Sequence, residues 1–473
     1  MDYRDRARRL KRNWRAEKVV WRRKWRRATP FRLLTLGFAT YVLIGLAAIA
    51  LPCCRRGDAS CVDCFFNVVS AATTTGLTVG AVGETYTFWG NLVLLTLIQV
   101  GGVGYMTLTS CIILARGDRL SPTRTRILGA SFSLPDGFSL RRFVVAVVVY
   151  SALIESIGAW ILWREFKIVG VDQPFWQAVF HSISAFATAG FSLFSDGCVG
   201  FKDSVAINVA LMTLSWAGAI GFIVPVDCWE NLRGRRQGIT LTSKTILYLT
   251  AALFLGGTVA FWLFERLSGG ESASDATLLA AAFQATAAST TGGFNTLDVG
   301  ALGPATRTIL VALMFVGAAP SGTGGGVKTT TVSAFAAIVA SVVRGRPDDV
   351  TFWGKTIPPC RLFTAVASAA IFVVAGSVAT ILLCATEPDL PFDALFFEAI
   401  SAISTAGMSA GITSELSTVG KLIVAAAMFV GRVGPLTFAL AVWSDASGGE
   451  KEKRRDSSEK AFGKERQIDD LAV

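Results

Sequence analysis

The chain has 473 residues, of which 52% are hydrophobic and 17% charged, and its formal net charge is +11. So little charge among so many apolar residues excludes an ordinary soluble domain and indicates a polytopic membrane protein. The basic excess is not a nucleic-acid signature, because it is confined to a terminal arm and to short clusters between apolar runs.

In chain order, residues 1–30 make a basic arm, and the first 32 positions hold 14 Lys and Arg. Ser is scarce there and acids are present, which speaks against a mitochondrial transit peptide. The arm is expected to stay in the cytoplasm, to set topology and to touch anionic lipid of the bilayer. Leu33–Cys54 follows without Asp, Glu, Lys or Arg; it is too long for a cleaved signal sequence and is expected to remain as a span. Thr85–Ala115, Ser204–Val226, Thr245–Phe264 and Leu362–Thr386 are equally free of charge. Phe143–Trp163, Thr308–Val343 and Leu422–Ser444 carry one charge each, Glu155, Lys328 and Arg432. A helix needs about 20 apolar residues to cross the hydrocarbon core, so eight spans are expected. The clusters RGDRLSPTRTR, LRGRRQ and VRGRP each follow an even-numbered span. That is the positive-inside pattern with both termini cytoplasmic. The last segment, 444–473, is charged and reads as a solvated tail.

Four of the 9 cysteines, Cys53, Cys54, Cys61 and Cys64, cluster on the expected outer side. Their spacing matches no tight zinc signature and disulfide pairing cannot be read from sequence, so zinc, disulfide and free thiol all stay open.

Between the spans lie four related segments: FFNVVSAATTTGLT (65–78), VFHSISAFATAGFS (179–192), AFQATAASTTGGFN (282–295) and FFEAISAISTAGMS (396–409). Aligned on Gly76, Gly190, Gly293 and Gly407, each has Phe ten residues earlier and a polar side chain nine earlier: Asn67, His181, Gln284 and Glu398. Two residues before the glycine comes Thr74, Thr188, Thr291 or Thr405. Between lie Thr75, Ala189, Gly292 and Ala406, and after it a large apolar residue, Leu77, Phe191, Phe294 or Met408. The glycines are 114, 103 and 114 residues apart, a repeat that sets the architecture. Each repeat reads as span, short helix, glycine turn, span. A helix of about fifteen residues is roughly 22 Å long and cannot cross, so it must enter the membrane and turn back. The expected fold is all-α: eight transmembrane helices and four re-entrant pore helices around a pseudo-fourfold pore. The repeats are placed at 31–115, 143–227, 245–343 and 362–443, with cytoplasmic linkers at 116–142, 228–244 and 344–361. Four Thr-x-Gly turns would line the narrow part with backbone carbonyls, which replace the hydration shell of a monovalent cation. The absence of Asp and Glu from the turns argues against a divalent cation, and the absence of Lys and Arg against an anion.

These segments, together with LIQVGGVGYMT (97–107), MFVGAAPSGTGGGVKTTT (314–331) and MFVGRVGPLTFALA (428–441), resemble the Trk/Ktr/HKT superfamily of potassium transporters. The resemblance runs from about residue 30 to 443 and is strongest to the membrane subunit of bacterial Ktr systems; no added helix pair precedes the first repeat. It implies a homodimer, a cytosolic octameric-type ring of nucleotide-binding regulatory subunits, and residence in the cell (inner) membrane. It also implies that the sixteen turn residues named above form a selectivity filter for potassium, the transported substrate, with no cofactor. Gly76 favours potassium, since sodium-preferring plant relatives often carry Ser there. Ser321-Gly322 reverses the Gly-Ser order common in relatives.

The run SGTGGGVKTTT (321–331) lacks the Gly directly before Lys that a phosphate-binding loop needs. It interrupts Thr308–Val343, which as one helix would be about 54 Å long. A break at that depth is expected to mark a gating or binding element, with a passive hinge as the alternative. The resemblance implies a gate built from Gly322, Thr323, Gly324, Gly325, Gly326 and Lys328, with Arg432 as an electrostatic barrier below the filter; for Lys328, snorkelling to the interface is the competing expectation. Glu155 is expected to pair with a polar neighbour, and His181, the only histidine, to be a packing residue. The leading function is potassium uptake. The alternatives are a sodium-selective or sodium-coupled transporter of the same fold and a secondary transporter of a small organic solute. An enzyme is disfavoured, since no nucleophile–base pair stands out.

Overall fold

The computed structural model describes residues 30–57, 60–104, 140–234, 238–268, 275–346 and 350–443. The basic arm, the cluster RGDRLSPTRTR and the charged tail lie outside the described residues, as do parts of LRGRRQ and VRGRP. The chain divides into two compact units, residues 38–436 and a unit made of 1–37 with 437–473. In the latter, Arg32 Nε donates to the Ala441 carbonyl at 2.8 Å.

Four long helices dominate: α1 (Pro30–Ile49), and further along the chain α4 (Leu140–Val169), α8 (Leu241–Ser268) and α12 (Pro359–Thr386). α4, with 30 residues, is about 45 Å long at the standard rise. These helices leave large apolar side chains such as Leu153, Trp160, Val259, Phe363 and Ile381 exposed. Such surfaces are costly in water and at ease in lipid.

After each long helix comes a short one: α2 (Cys61–Ala72), α5 (Pro174–Phe186), α9 (Leu278–Ser289) and α13 (Phe392–Ser404). They have 12 or 13 residues, somewhat fewer than expected, and are too short to cross. Ser60 and Thr277 cap α2 and α9 by accepting from the Asp63 and Ala280 N–H groups. Pro174 opens α5, where its missing N–H is no loss.

A second apolar helix follows in each case: α3 (Phe88–Val103), α6 (Val205–Ala219), α10 (Pro304–Phe315) and α14 (Thr418–Val433). Packing is cyclic. α5, α9 and α13 touch α3, α6 and α10, the second helices of the preceding segments, and α2 touches α14, the last of them. The first short helix is thereby packed against the end of the chain's core.

Two expectations need correction. Ser204–Val226 and Leu422–Ser444 are not continuous helices. α6 stops at Ala219, and α7 (Ile223–Leu232) leaves at 86° to it. Gly221 sits in the bend with φ +86°, and a Cβ there would run into the Pro320 carbonyl. Gly434, φ +91°, ends α14, and Pro435 opens α15 (Pro435–Trp443). Proline has no N–H to continue the helical ladder, and glycine alone takes such φ values freely. α3 ends in the same way at Gly104, φ +88°. Thr308–Val343 divides as expected into α10 and α11 (Thr329–Val343). The break singled out in the third repeat therefore has counterparts in the second and the fourth. Among the described residues four helices are long and apolar enough to cross a membrane, or six if α6–α7 and α14–α15 each count as one span. A two-residue hairpin, β1 (Thr351–Phe352) with β2 (Lys355–Thr356), precedes α12.

Candidate functional site: four Thr-x-Gly turns and a glycine-rich loop

Each short helix ends in one and the same way. The N–H groups of Thr74, Thr188, Thr291 and Thr405 donate to the carbonyl three residues back at 3.0–3.1 Å. Those of Thr75, Ala189, Gly292 and Ala406 donate five residues back at 2.7–2.9 Å. This pair of bonds is the Schellman ending, which needs a left-handed residue after the helix. Glycine usually fills that place. Here it is filled four times by threonine, with φ of 51°, 51°, 55° and 49°. A β-branched residue in that region costs on the order of 1–3 kcal/mol and persists only where the surroundings enforce it.

The glycines that follow meet one another. A Cβ on Gly76 would lie 2.6 Å from the Ala189 carbonyl oxygen, and one on Gly190 2.7 Å from Gly293 Cα. One on Gly293 would lie 2.9 Å from the Ala406 oxygen, and one on Gly407 would collide with the Thr75 carbonyl. The four turns thus adjoin in chain order, and the fourth returns to the first. Leu77, Phe191, Phe294 and Met408 are at most 3% exposed. Their side chains are anchored in the protein, so backbone is what the turns bring together. The sixteen residues named from the sequence make up these four turns.

The polar position nine residues before each glycine has a definite role. Asn67 Nδ2 donates to the Val79 carbonyl at 3.2 Å, and its Oδ1 accepts from the Val79 N–H. His181 Nε2 is 3.0 Å from Ser192 Oγ, and its Nδ1 2.8 Å from the Gln177 carbonyl. Gln284 Nε2 donates to Leu297 O at 3.4 Å, and Glu398 accepts from the Thr413 hydroxyl. Each side chain straps its short helix to the segment that leaves the turn. His181 is a packing residue, as expected. Glu398→Ala is expected to cost about 2 kcal/mol of stability, the scale of a buried hydrogen bond whose remaining partner is left unsatisfied. Adding Thr413→Val to it should cost little more, because both changes break one interaction; melting curves of the two single variants and the double check this.

The loop 316–328 lies against these turns. Val316 and Val327 form an isolated bridge at its neck. The Ala319 and Thr323 N–H groups donate to the Ala219 and Gly218 carbonyls at the end of α6, at 3.0 and 3.2 Å. Thr188 Oγ1 donates to Thr323 Oγ1 at 3.1 Å, and the Gly325 N–H donates to Thr291 Oγ1 at 2.9 Å. A Cβ on Gly324 would lie 2.6 Å from Thr291 Oγ1, and one on Gly325 would meet the Ser404 carbonyl. Only residues without side chains fit so close to three turns at once. Lys328 folds back, its Nζ donating to the Gly324 carbonyl at 2.7 Å. Arg432, in the last turn of α14, donates to the Thr323 carbonyl and to the Gly101 carbonyl of α3.

Glu155 finds its partner in Gln99, whose Nε2 donates to both carboxylate oxygens at 2.9 and 3.0 Å. The roles of Gln99 and Gly101 were not visible beforehand, although both belong to the motif LIQVGGVGYMT; its last residues, 105–107, lie outside the described residues. Cys53, Cys54, Cys61 and Cys64 are free thiols, with the first two sulfurs 3.9 Å apart. Among the described residues no group of His, Cys, Asp and Glu could hold a metal ion.

A family model described as "TrkH: Cation transport protein" matches residues 59–448. The chain is 35% identical over 415 residues to "Ktr system potassium uptake protein B" of Vibrio alginolyticus, covering 86% of this chain and 90% of that one. It is 28% identical over 444 residues to "Potassium/sodium uptake protein NtpJ" of Enterococcus hirae, covering 91% and 97%. The crystal structure of the potassium transporter TrkH from Vibrio parahaemolyticus superposes with a TM-score of 0.67 over 88% of this chain and 85% of that one, at 20% identity, and shows the fold. The chain is a multi-pass helical membrane protein and belongs to the TrkH family of cation transport proteins.

Proposed function

We propose that the protein takes up potassium ion across the cytoplasmic membrane through a filter made of the four Thr-x-Gly turns. The observation that carries this is the closed ring of glycine contacts from Gly76 through Gly190 and Gly293 to Gly407 and back to Thr75. Carbonyls gathered in such a ring can replace the water around a monovalent cation. The short helices end there, and their C-termini bring partial negative charge to the same place. The names of the Vibrio and Enterococcus relatives support potassium as the ion.

The loop Gly322–Gly326 acts in this reading as the gate, and Arg432 holds it shut while setting a positive charge below the filter. Lys328 steadies the loop through Gly324. The broken second helices complete four span–pore helix–span repeats, eight crossings in all, with both termini in the cytoplasm. The word "system" in the relatives' names supports a membrane subunit working with regulatory partners. A homodimer, and a cytosolic nucleotide-binding ring as that partner, are the assembly we expect.

A second reading, a pathway that also passes sodium, draws on the name of the Enterococcus relative. Radioactive rubidium uptake into proteoliposomes, competed separately by potassium and sodium, decides between them. Competition by potassium alone is expected. Equal competition by sodium would move the assignment to the second reading, and competition by neither would overturn both.

A further inference from the structure

Among the described residues three ion pairs lie between successive segments. Lys202, just before α6, holds Asp275, just before α9, with Nζ to Oδ2 at 2.8 Å. Arg307, in the second turn of α10, holds Asp393, in the first turn of α13, at 2.9 Å. Lys421, one turn into α14, holds Asp63, in the first turn of α2, at 2.8 Å. Each joins the start of one segment's second helix to the start of the next segment's short helix. The contact from the first segment to the second is aromatic, Phe88 against Trp176 with ring centres 4.7 Å apart.

The last ion pair differs from the others in kind. Consecutive segments are joined by the chain itself, whereas the fourth and the first are 358 residues apart at this contact. Nothing covalent closes the ring there. The pair is also the most sheltered, with side chains 14% and 26% exposed against 20% and 52% for Arg307–Asp393 and 35% and 51% for Lys202–Asp275. Asp63 is held on both oxygens, since Ser60 Oγ donates to Oδ2 at 2.7 Å. At the other end of the same two helices, Gly407 abuts Thr75 and Gly76, and Gly431 of α14 abuts Thr405. α2 is a rigid rod of 12 residues, so a shift at Asp63 is carried to Thr74–Gly76.

We propose that Asp63 and Lys421 are positioning residues, a clasp that closes the ring of turns and sets the fit between the first and fourth. This rests on those turns being the ion pathway. The experiment measures rubidium uptake, its competition by sodium, and thermal melting for Asp63→Lys, Lys421→Asp and the exchanged double variant. Each single reversal is expected to weaken discrimination against sodium about fivefold, as for residues in direct contact. The exchange should recover it to within about twofold. Single variants with the wild-type ratio, or an exchange that restores melting but not the ratio, would reduce the pair to a structural contact and overturn the proposal. If the reversals do not fold, Asp63→Asn and Lys421→Gln remove the charges without repulsion and are scored in the same way. A wild type that does not discriminate would break the potassium reading instead; the clasp would then show as a change in total rubidium flux that the exchange reverses, and unchanged flux would overturn it.

Discussion

Gly76→Ser is expected to raise sodium permeation relative to potassium by about tenfold or more, the scale of a 1.4 kcal/mol change in relative barrier. Two features make this glycine hard to replace. Its φ is +107°, a conformation that side chains resist, and a Cβ would lie 2.6 Å from the Ala189 oxygen and 3.2 Å from Gly190 Cα. These neighbours are backbone, so the first turn must move against the second. A carbonyl ring distinguishes cations by the number and placement of its oxygens, and displacing one quarter of it degrades that distinction. Competition of rubidium uptake by sodium reads the effect, and an unchanged ratio would remove this turn from the pathway. Gly256→Ala is the matching control: it lies within α8, a Cβ there meets nothing within 4 Å, and neither ratio nor flux should change.

Deleting Gly322–Gly326 is expected to raise potassium flux about tenfold at equal amounts of folded protein, again on the scale of 1.4 kcal/mol in a barrier. The loop is wedged between the end of α6 and three of the turns through Thr323, Gly324 and Gly325. On the proposed function, where the turns are the ion pathway, it would stand in the way of an ion leaving them. Arg432→Ala should act in the same direction, because it releases the Thr323 and Gly101 carbonyls and removes a positive charge that opposes cations. The two changes disturb one contact, so the combined variant should exceed the larger single effect only slightly. Flux is measured as initial rubidium uptake, with folding checked by melting and size-exclusion. Lost flux in well-folded deletion protein would mean that the loop builds the pathway and does not block it.

Much of this was legible in the residues. The four Thr-x-Gly endings, the short helices before them and the interruption at SGTGGGVKTTT are local patterns. Helix length, a polar side chain at a fixed offset and a glycine where the backbone must turn all leave marks within a dozen positions. The breaks at Gly221 and Gly434 left marks as well, but a single glycine in an apolar run is weak evidence beside four glycines in five residues. What packs against Gly221, the Pro320 carbonyl, is remote in the chain.

Other features could come only from the folded chain. The repeat implied a ring, but no pattern says that Lys421 reaches Asp63. The straps from Asn67, His181, Gln284 and Glu398 use a different acceptor or donor in each copy, so the shared polarity was visible and its purpose was not. Arg432 stood out as a charge in an apolar run, yet its partners are 109 and 331 residues away. Local chemistry is written along the chain because propensity and turn geometry act over a few residues. The closing of the ring depends on which surfaces meet in three dimensions, and there hydrogen bonds and ion pairs are chosen by distance in space, whatever the separation in sequence.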